Sequence, residues 1–386
     1  MTEKSENIRY SLLLGCYMML MCVGFNFNTY YLHERDVTDG NIGILIAVSC
    51  LLAVAMQQIF GRLVDSGSLD GKKLLLLLAF CQCLLGTGIL LFRPVWAIVL
   101  MFGIILCSIQ IMQPILNSFS FYYKNEGITV NFGVARGIGS LCFSGCSILL
   151  GALTDSFGGH MVPLSLALLS ALIFFIILSM PSLKGCNVSD KAKKDPLNSF
   201  HLFDHPSFAL MLFGLTLVML FHNMVMTYFI YVIERVGGDS GDMGIAIGIA
   251  GLVEIPVLFL YAKIKGNRSS KYFLAISGVA FFAKAVLFIF AGNILMIYFI
   301  QLLQCLAFGL MAASRVYYVD ETVGKENEAT GQAYTSATET IGIVLGSAIG
   351  GVIMHVGEIE NLLWVGACVC LVGMVMMLVA AFRGKH

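Results

Sequence analysis

The sequence predicts an all-α membrane protein: twelve transmembrane helices in two six-helix halves. Three observations predict it. Of the 386 residues, 58% are hydrophobic and only 12% are charged, about half the charged share of a soluble globular chain. The apolar residues fall in separate runs of about 18–25, each long enough to cross a hydrocarbon core of about 30 Å. The second half of the chain also repeats the first.

The runs lie at about 10–32, 41–60, 74–92, 95–121, 133–154 and 161–180, then at about 206–232, 243–262, 271–291, 293–314, 331–354 and 361–382. The first follows "MTEKSENIR" and exceeds a signal-peptide core in length, with no small-residue cleavage site, so it reads as a span. The longest polar stretch, 181–205, reads as a cytoplasmic linker between an N-terminal half (1–180) and a C-terminal half (206–386). An even count puts both termini on one side. Most of the 23 basic residues lie on that side, while the opposite loops hold only Arg35, Arg93 and Arg235. That bias places both termini in the cytoplasm of a cell (plasma or inner) membrane.

The repeat has an offset of about 200 residues. "NIGILIA" pairs Gly43 with Gly244 in "DMGIAIG", and "LLGALTDSFGG" pairs Gly151 with Gly351 in "AIGGVIMHVGE". Two like-oriented halves place a solute site between them, near mid-membrane. Net charge is zero, which gives no basic surface for nucleic acid. The twelve cysteines lie almost entirely in apolar runs, as packed small hydrophobes rather than metal ligands. No nucleophile–base pair, metal cluster or phosphate loop suggests an enzyme, and no cofactor is expected.

Ionised residues inside spans are functional candidates, because hydrocarbon penalises an unpaired charge. Four fall there: Arg136, Glu254, Lys284 and Glu339. Counting from the helix ends, Glu254 and Glu339 lie about 12 Å deep and Lys284 about 20 Å. A lysine's reach allows Lys284 to meet Glu254 on the neighbouring span. Amides form a second set. Gln110, Gln113 and Asn117 share one face of the fourth span, and Asn26, Asn28, His222, Asn223, Gln301 and Gln304 line others. Gly342-xxx-Gly346-xxx-Gly350 has the spacing of a close-packed seam.

Three segments resemble the major facilitator superfamily, in its lactose-permease and nucleoside-symporter-like branch. "GRLVDSGSLDGKK" resembles the superfamily's signature loop and assigns a gating role to Gly61, Asp65, Gly71, Lys72 and Lys73. "FGVARGIGSLCF" resembles the branch's fifth span, with Arg136 at the substrate-binding arginine and Phe143 at the stacking aromatic. "VEIPVLF" resembles the eighth-span Glu-x-Pro segment, with Glu254 at the coupling acid. The chain departs from the branch at Ser66, which replaces a base, at Asn117, which replaces an acid, and at Gln304, where a histidine is common. The resemblance implies a monomeric, proton-gradient-driven symporter of a small polar solute, a sugar or a nucleoside. A drug–proton antiporter or a non-transporting sensor is the alternative.

Overall fold

The computed structural model describes residues 3–125, 130–180, 205–323 and 327–383. Among these residues, twelve helical segments are long and apolar enough to cross a membrane. The chain forms two compact units, Met1–Ala192 and Lys193–His386. Apart from His205, the expected linker lies outside the described residues.

The first unit holds α1 (Glu3–Asn26), α2 (Asn28–His33), α3 (Asp39–Asp65), α4 (Gly71–Leu91), α5 (Val95–Asn125), α6 (Phe132–Phe157) and α7 (Met161–Ser179). Here α1 packs on α6 and α7, α4 on α5 and α7, and α3 on α5. The second unit holds α8 (Pro206–Thr227), α9 (Phe229–Arg235), α10 (Ser240–Lys265), α11 (Ser270–Phe290), α12 (Ile294–Leu302), a short 3₁₀ turn (Leu303–Cys305), α13 (Phe308–Val323), α14 (Glu328–Val356) and α15 (Ile359–Phe382). Its packing repeats the first unit's scheme: α8 on α14 and α15, α11 on α13 and α15, and α10 on α12 and α13.

The repeat extends to the backbone. The first span of each unit breaks at an aromatic residue, Phe27 (φ −108°, ψ 1°) in one and Tyr228 (φ −108°, ψ 27°) in the other. One break has no counterpart. The tenth span is interrupted at 303–307, whereas α5 runs unbroken from Val95 to Asn125. The tenth span also continues to Val323 rather than stopping near 314, which takes Arg315 into α13 instead of a loop.

The glycines of the eleventh span form the seam that their spacing predicts, and the surface opposite is α8. A Cβ on Gly346 would lie 2.7 Å from the Leu220 carbonyl oxygen and 2.9 Å from the Met224 nitrogen. On Gly342 it would meet the Met219 backbone at 2.9 Å, and on Gly350 the Tyr228 ring at 2.8 Å. With no water to expel between helices in lipid, such backbone approach is what holds a pair together.

Helix ends and interruptions are met by named side chains. Pro114 has no N–H for the Gln110 carbonyl one turn back, and Gln57 Nε2 donates to that oxygen at 2.7 Å. Arg235 donates to the last carbonyls of α11: Phe288 at 2.5 Å and Ile289 and Ala291 at 3.3 Å each. Tyr10 and Tyr17, two turns apart on α1, donate to the Leu116 and Ile109 carbonyls of α5 at 3.1 and 3.0 Å.

The seam makes a testable demand. Gly346→Leu forces α8 from α14 and should cost about 1–3 kcal/mol, the usual penalty of overpacking. Gly145→Leu, with nothing within 4 Å of the added Cβ, should leave the thermal unfolding midpoint of the purified protein unchanged. Equal midpoints for both variants and the parent would remove the seam from the account.

Candidate functional site

The second unit gathers four of the residues singled out from sequence. Lys284 of α11 is 1% exposed. Its ammonium donates to Gln304 Oε1 in the 3₁₀ turn and lies 5.5 Å from the Phe288 ring centroid. Gln304 Nε2 in turn donates to Glu254 Oε1 of α10 at 3.1 Å. The expected encounter of Lys284 with Glu254 therefore runs through a neutral amide. Gln304 uses its acceptor toward the cation and its donor toward the acid, the orientation that satisfies both.

The backbone explains how three helices meet here. The tenth span leaves the α-helical path at Leu303, which turns Gln304 inward between α10 and α11. Pro256, two residues past Glu254, leaves the Leu252 carbonyl without its α-helical donor. Gly309 opens α13 beneath, since a Cβ there would lie 3.3 Å from the Glu254 Cα. The His222 ring of α8 sits between aromatic faces, 5.5 Å from both Phe281 and Phe308. Asn223, beside it, donates back to the Met219 carbonyl at 2.8 Å, a bond within its own helix.

Glu339 belongs to a different pair. Its carboxylate takes Arg315 Nη1 at 2.7 Å, a partner that sequence reading had assigned to a loop. Both side chains are partly exposed, at 23% and 35%, and such pairs are worth about 0–1 kcal/mol. Gln332 of α14 donates to the Val316 carbonyl at 3.0 Å, which joins α14 to α13 a second time.

In the first unit, Arg136 and Phe143 stand seven residues apart on one face of α6. The Arg136 guanidinium is exposed and contacts Met18 Sδ of α1 at 3.0 Å. Gln110, Gln113 and Asn117 share a half-exposed face of α5, and Gln110 Nε2 also reaches Cys50 Sγ at 3.9 Å. Asn26 ends α1. Asn28 is fully buried and accepts from Thr29 Oγ1 at 3.0 Å. Gln301 is fully buried in α12.

The signature loop is anchored in part on helix ends, and the Asp65 side chain lies outside the described residues. Asp65 closes α3, and Asp70 caps α4 by accepting from the Lys72 N–H at 2.9 Å. The Lys72 ammonium donates to the carbonyls of Leu178 and Met180, at the end of α7, where a cation complements the helix dipole. Gly71 is buried against Val64 and Ile115, while Gly61 and Lys73 stand at the surface of their helices.

The equivalent corner of the second unit carries a cluster that sequence reading missed. Glu321 of α13 accepts from Ser269 Oγ at 2.9 Å, Ser270 Oγ at 2.8 Å, the Ser270 N–H at 2.8 Å and Lys265 Nζ at 2.8 Å. A carboxylate thus sits on the N-terminus of α11, where the helix dipole favours it. The signal was present as Ser269-Ser270 opening a helix after the basic run at 263–268.

A family model described as the MFS_1 like family matches residues 11–363. The chain belongs to that family, within the major facilitator superfamily. No curated protein matches the sequence. The crystal structure of the nucleoside transporter NupG has a TM-score of 0.81 at 16% identity, covering 100% of both chains. A point mutant of NupG has a TM-score of 0.85 at 15% identity, covering 97% of this chain and 99% of that one. A POT family transporter in complex with a peptide conjugate has a TM-score of 0.69 at 12% identity, covering 99% and 97%. The chain is a multi-pass membrane transporter of the major facilitator type, not an enzyme.

The amide bridge in this transporter can be tested by stability alone. Gln304→Leu leaves the buried Lys284 ammonium without its acceptor, and losing such a hydrogen bond to a buried charge costs about 1.5–3 kcal/mol. Adding Lys284→Met removes the stranded charge and should recover most of that loss. A double variant no more stable than Gln304→Leu would show that the two side chains are not coupled.

Proposed function

We propose that this chain is a proton-coupled symporter of a small polar solute, a nucleoside ahead of a sugar, working by alternating access in a cell membrane with both termini cytoplasmic. The observation that carries the reading is the Lys284–Gln304–Glu254 chain. It holds a half-buried carboxylate against a fully buried cation through a group that does not titrate. Protonating Glu254 removes the negative end of this chain and weakens its hold on Gln304. Binding of a proton is thereby converted into a change in how α10, α11 and the tenth span are tied. A fixed structural ion pair would be served better by direct contact, with each charge satisfied by the other.

Arg136 and Phe143 supply the recognition chemistry. A guanidinium presents five donors in a planar fork that can engage two oxygens together. An aromatic ring two turns along the same face can stack on a base or on the apolar face of a sugar. A nucleoside offers both surfaces, which, with the fold's likeness to NupG, puts it first. Lys72, on the carbonyls at the end of α7, is the gate-side anchor, and Glu339 with Arg315 tunes the contact of α14 with α13.

Two measurements in proteoliposomes test this reading, with radiolabelled uridine as the probe. Glu254→Gln mimics the protonated acid and cannot ionise. Uptake driven by an inside-alkaline gradient should vanish, while uridine exchange across the membrane continues. Gradient-driven accumulation at the unmutated level would remove Glu254 as the coupling group. Arg136→Lys keeps the charge but not the fork, and should weaken uridine binding about tenfold, or roughly 1.4 kcal/mol. An unchanged affinity would take Arg136 out of the site.

A further inference from the structure

Gln301 is a buried polar residue that the coupling chain does not use. It is 0% exposed, and neither its Oε1 nor its Nε2 has a hydrogen-bond partner among the described residues. It lies in the last turn of α12, three residues before Gln304, where the chain tightens into the 3₁₀ turn. Residues three apart lie on the same side of a helix, one turn from each other. Gln301 therefore stands one turn beyond Gln304 along the tenth span, and α12 packs on the same two helices, α10 and α11, that supply Glu254 and Lys284.

The chemistry of the amide restricts what can complete it. Oε1 needs a donor and Nε2 needs an acceptor. A metal ion satisfies only the oxygen, and an anion satisfies only the nitrogen. A hydroxyl group does both, and it is small enough for a site closed to bulk solvent. Lipid chains offer neither partner. An amide left bare in this position costs more than a paired one gains, so the fold has reason to keep Gln301 only where something meets it.

We infer that Gln301 is a binding station for a single hydroxyl group, stacked on the coupling chain. The hydroxyl belongs either to a sealed water molecule or to the transported solute. Only the solute arm rests on the transport reading above, and it gives the tenth span a direct part in sensing solute hydroxyls.

The experiment compares Gln301→Met, which keeps the length of the side chain and removes both polar atoms, with Gln301→Glu at pH 5, where a protonated carboxyl again offers a donor and an acceptor. Thermal unfolding of the solute-free protein and binding of uridine are measured for each. With a water at the site, Gln301→Met lowers the unfolding midpoint by several degrees, Gln301→Glu recovers part of that loss, and uridine affinity is unchanged. With a solute hydroxyl at the site, the solute-free midpoint does not fall. Uridine binding instead weakens about tenfold, and the parent's preference for uridine over its 2′- or 3′-deoxy form disappears. The inference is overturned if the midpoint does not fall and uridine affinity and preference are unchanged, or if Gln301→Glu is no more stable than a Gln301→Met that loses stability. Failure of the parent to bind uridine counts against a nucleoside solute, and the thermal arm then decides the station by itself.

Discussion

Hydrocarbon supplies no hydrogen bonds, so each interruption or end of a helix within it must be completed by the chain itself. Much of the polar chemistry in this transporter follows from that constraint. Pro114 breaks one ladder bond, and Gln57 is placed to fill it. The end of α11 is closed by Arg235 and its beginning by Glu321, while the end of α7 is closed by Lys72. Charges that sequence patterning assigns to loops or anchors act as helix caps reaching from a neighbouring helix, and each ties two or three spans into one body. A cap of this kind is directional, because a cation suits only a C-terminus and an acid only an N-terminus. The sign of each residue is therefore fixed by the end it serves.

The two units share a packing scheme yet differ in chemistry. The breaks at Phe27 and Tyr228 and the matched helix pairings belong to the repeat. The break at 303–307 does not, and the buried cation, the bridging amide and the paired acid all lie around it. A two-fold design with one local departure gathers the Lys284–Gln304–Glu254 chain in a single unit, while the other holds Arg136 and the amides of α5. Gly309 belongs to the same departure. It lets α13 approach Glu254 closely, since a Cβ there would lie 3.3 Å from the Glu254 Cα and would need that backbone to give way.

The span count, the repeat and the glycine seam were legible in the sequence because each rests on periodicity along one helix. Glu254 and Lys284 were legible because charge within apolar runs is costly and therefore informative. Their connection was not. Depth counted along ideal helices brings Lys284 close to Glu254 but cannot show Gln304 between them, since neither proline nor glycine stands at the break itself, residues 303–307, and Gly309 follows only after it. Glu339 was found and its partner missed for a related reason. The stretch "RVYYVDET" reads as a charged loop, yet α13 carries Arg315 and Glu321 on through it, and their acid and base partners lie far along the chain. Lys72 has a gating role by resemblance, and its ammonium meets the Leu178 and Met180 carbonyls. Its backbone carbonyl partners are a choice that side-chain spacing does not encode.

The length of the tenth span gives its interruption a further meaning. From Ile294 to Val323 it covers 30 residues, and a straight helix of that length would measure about 45 Å, against a hydrocarbon core of about 30 Å. Such an excess can lie in the headgroup layers or be taken up by tilting or bending, and α5 carries a like excess over 31 residues without a break, so it is the open ladder at Leu303–Cys305, not length, that sets the tenth span apart. Any bend of the span at that turn carries Gln304 with it. The geometry of the tenth span is thereby tied to the residue that joins a buried base to an acid.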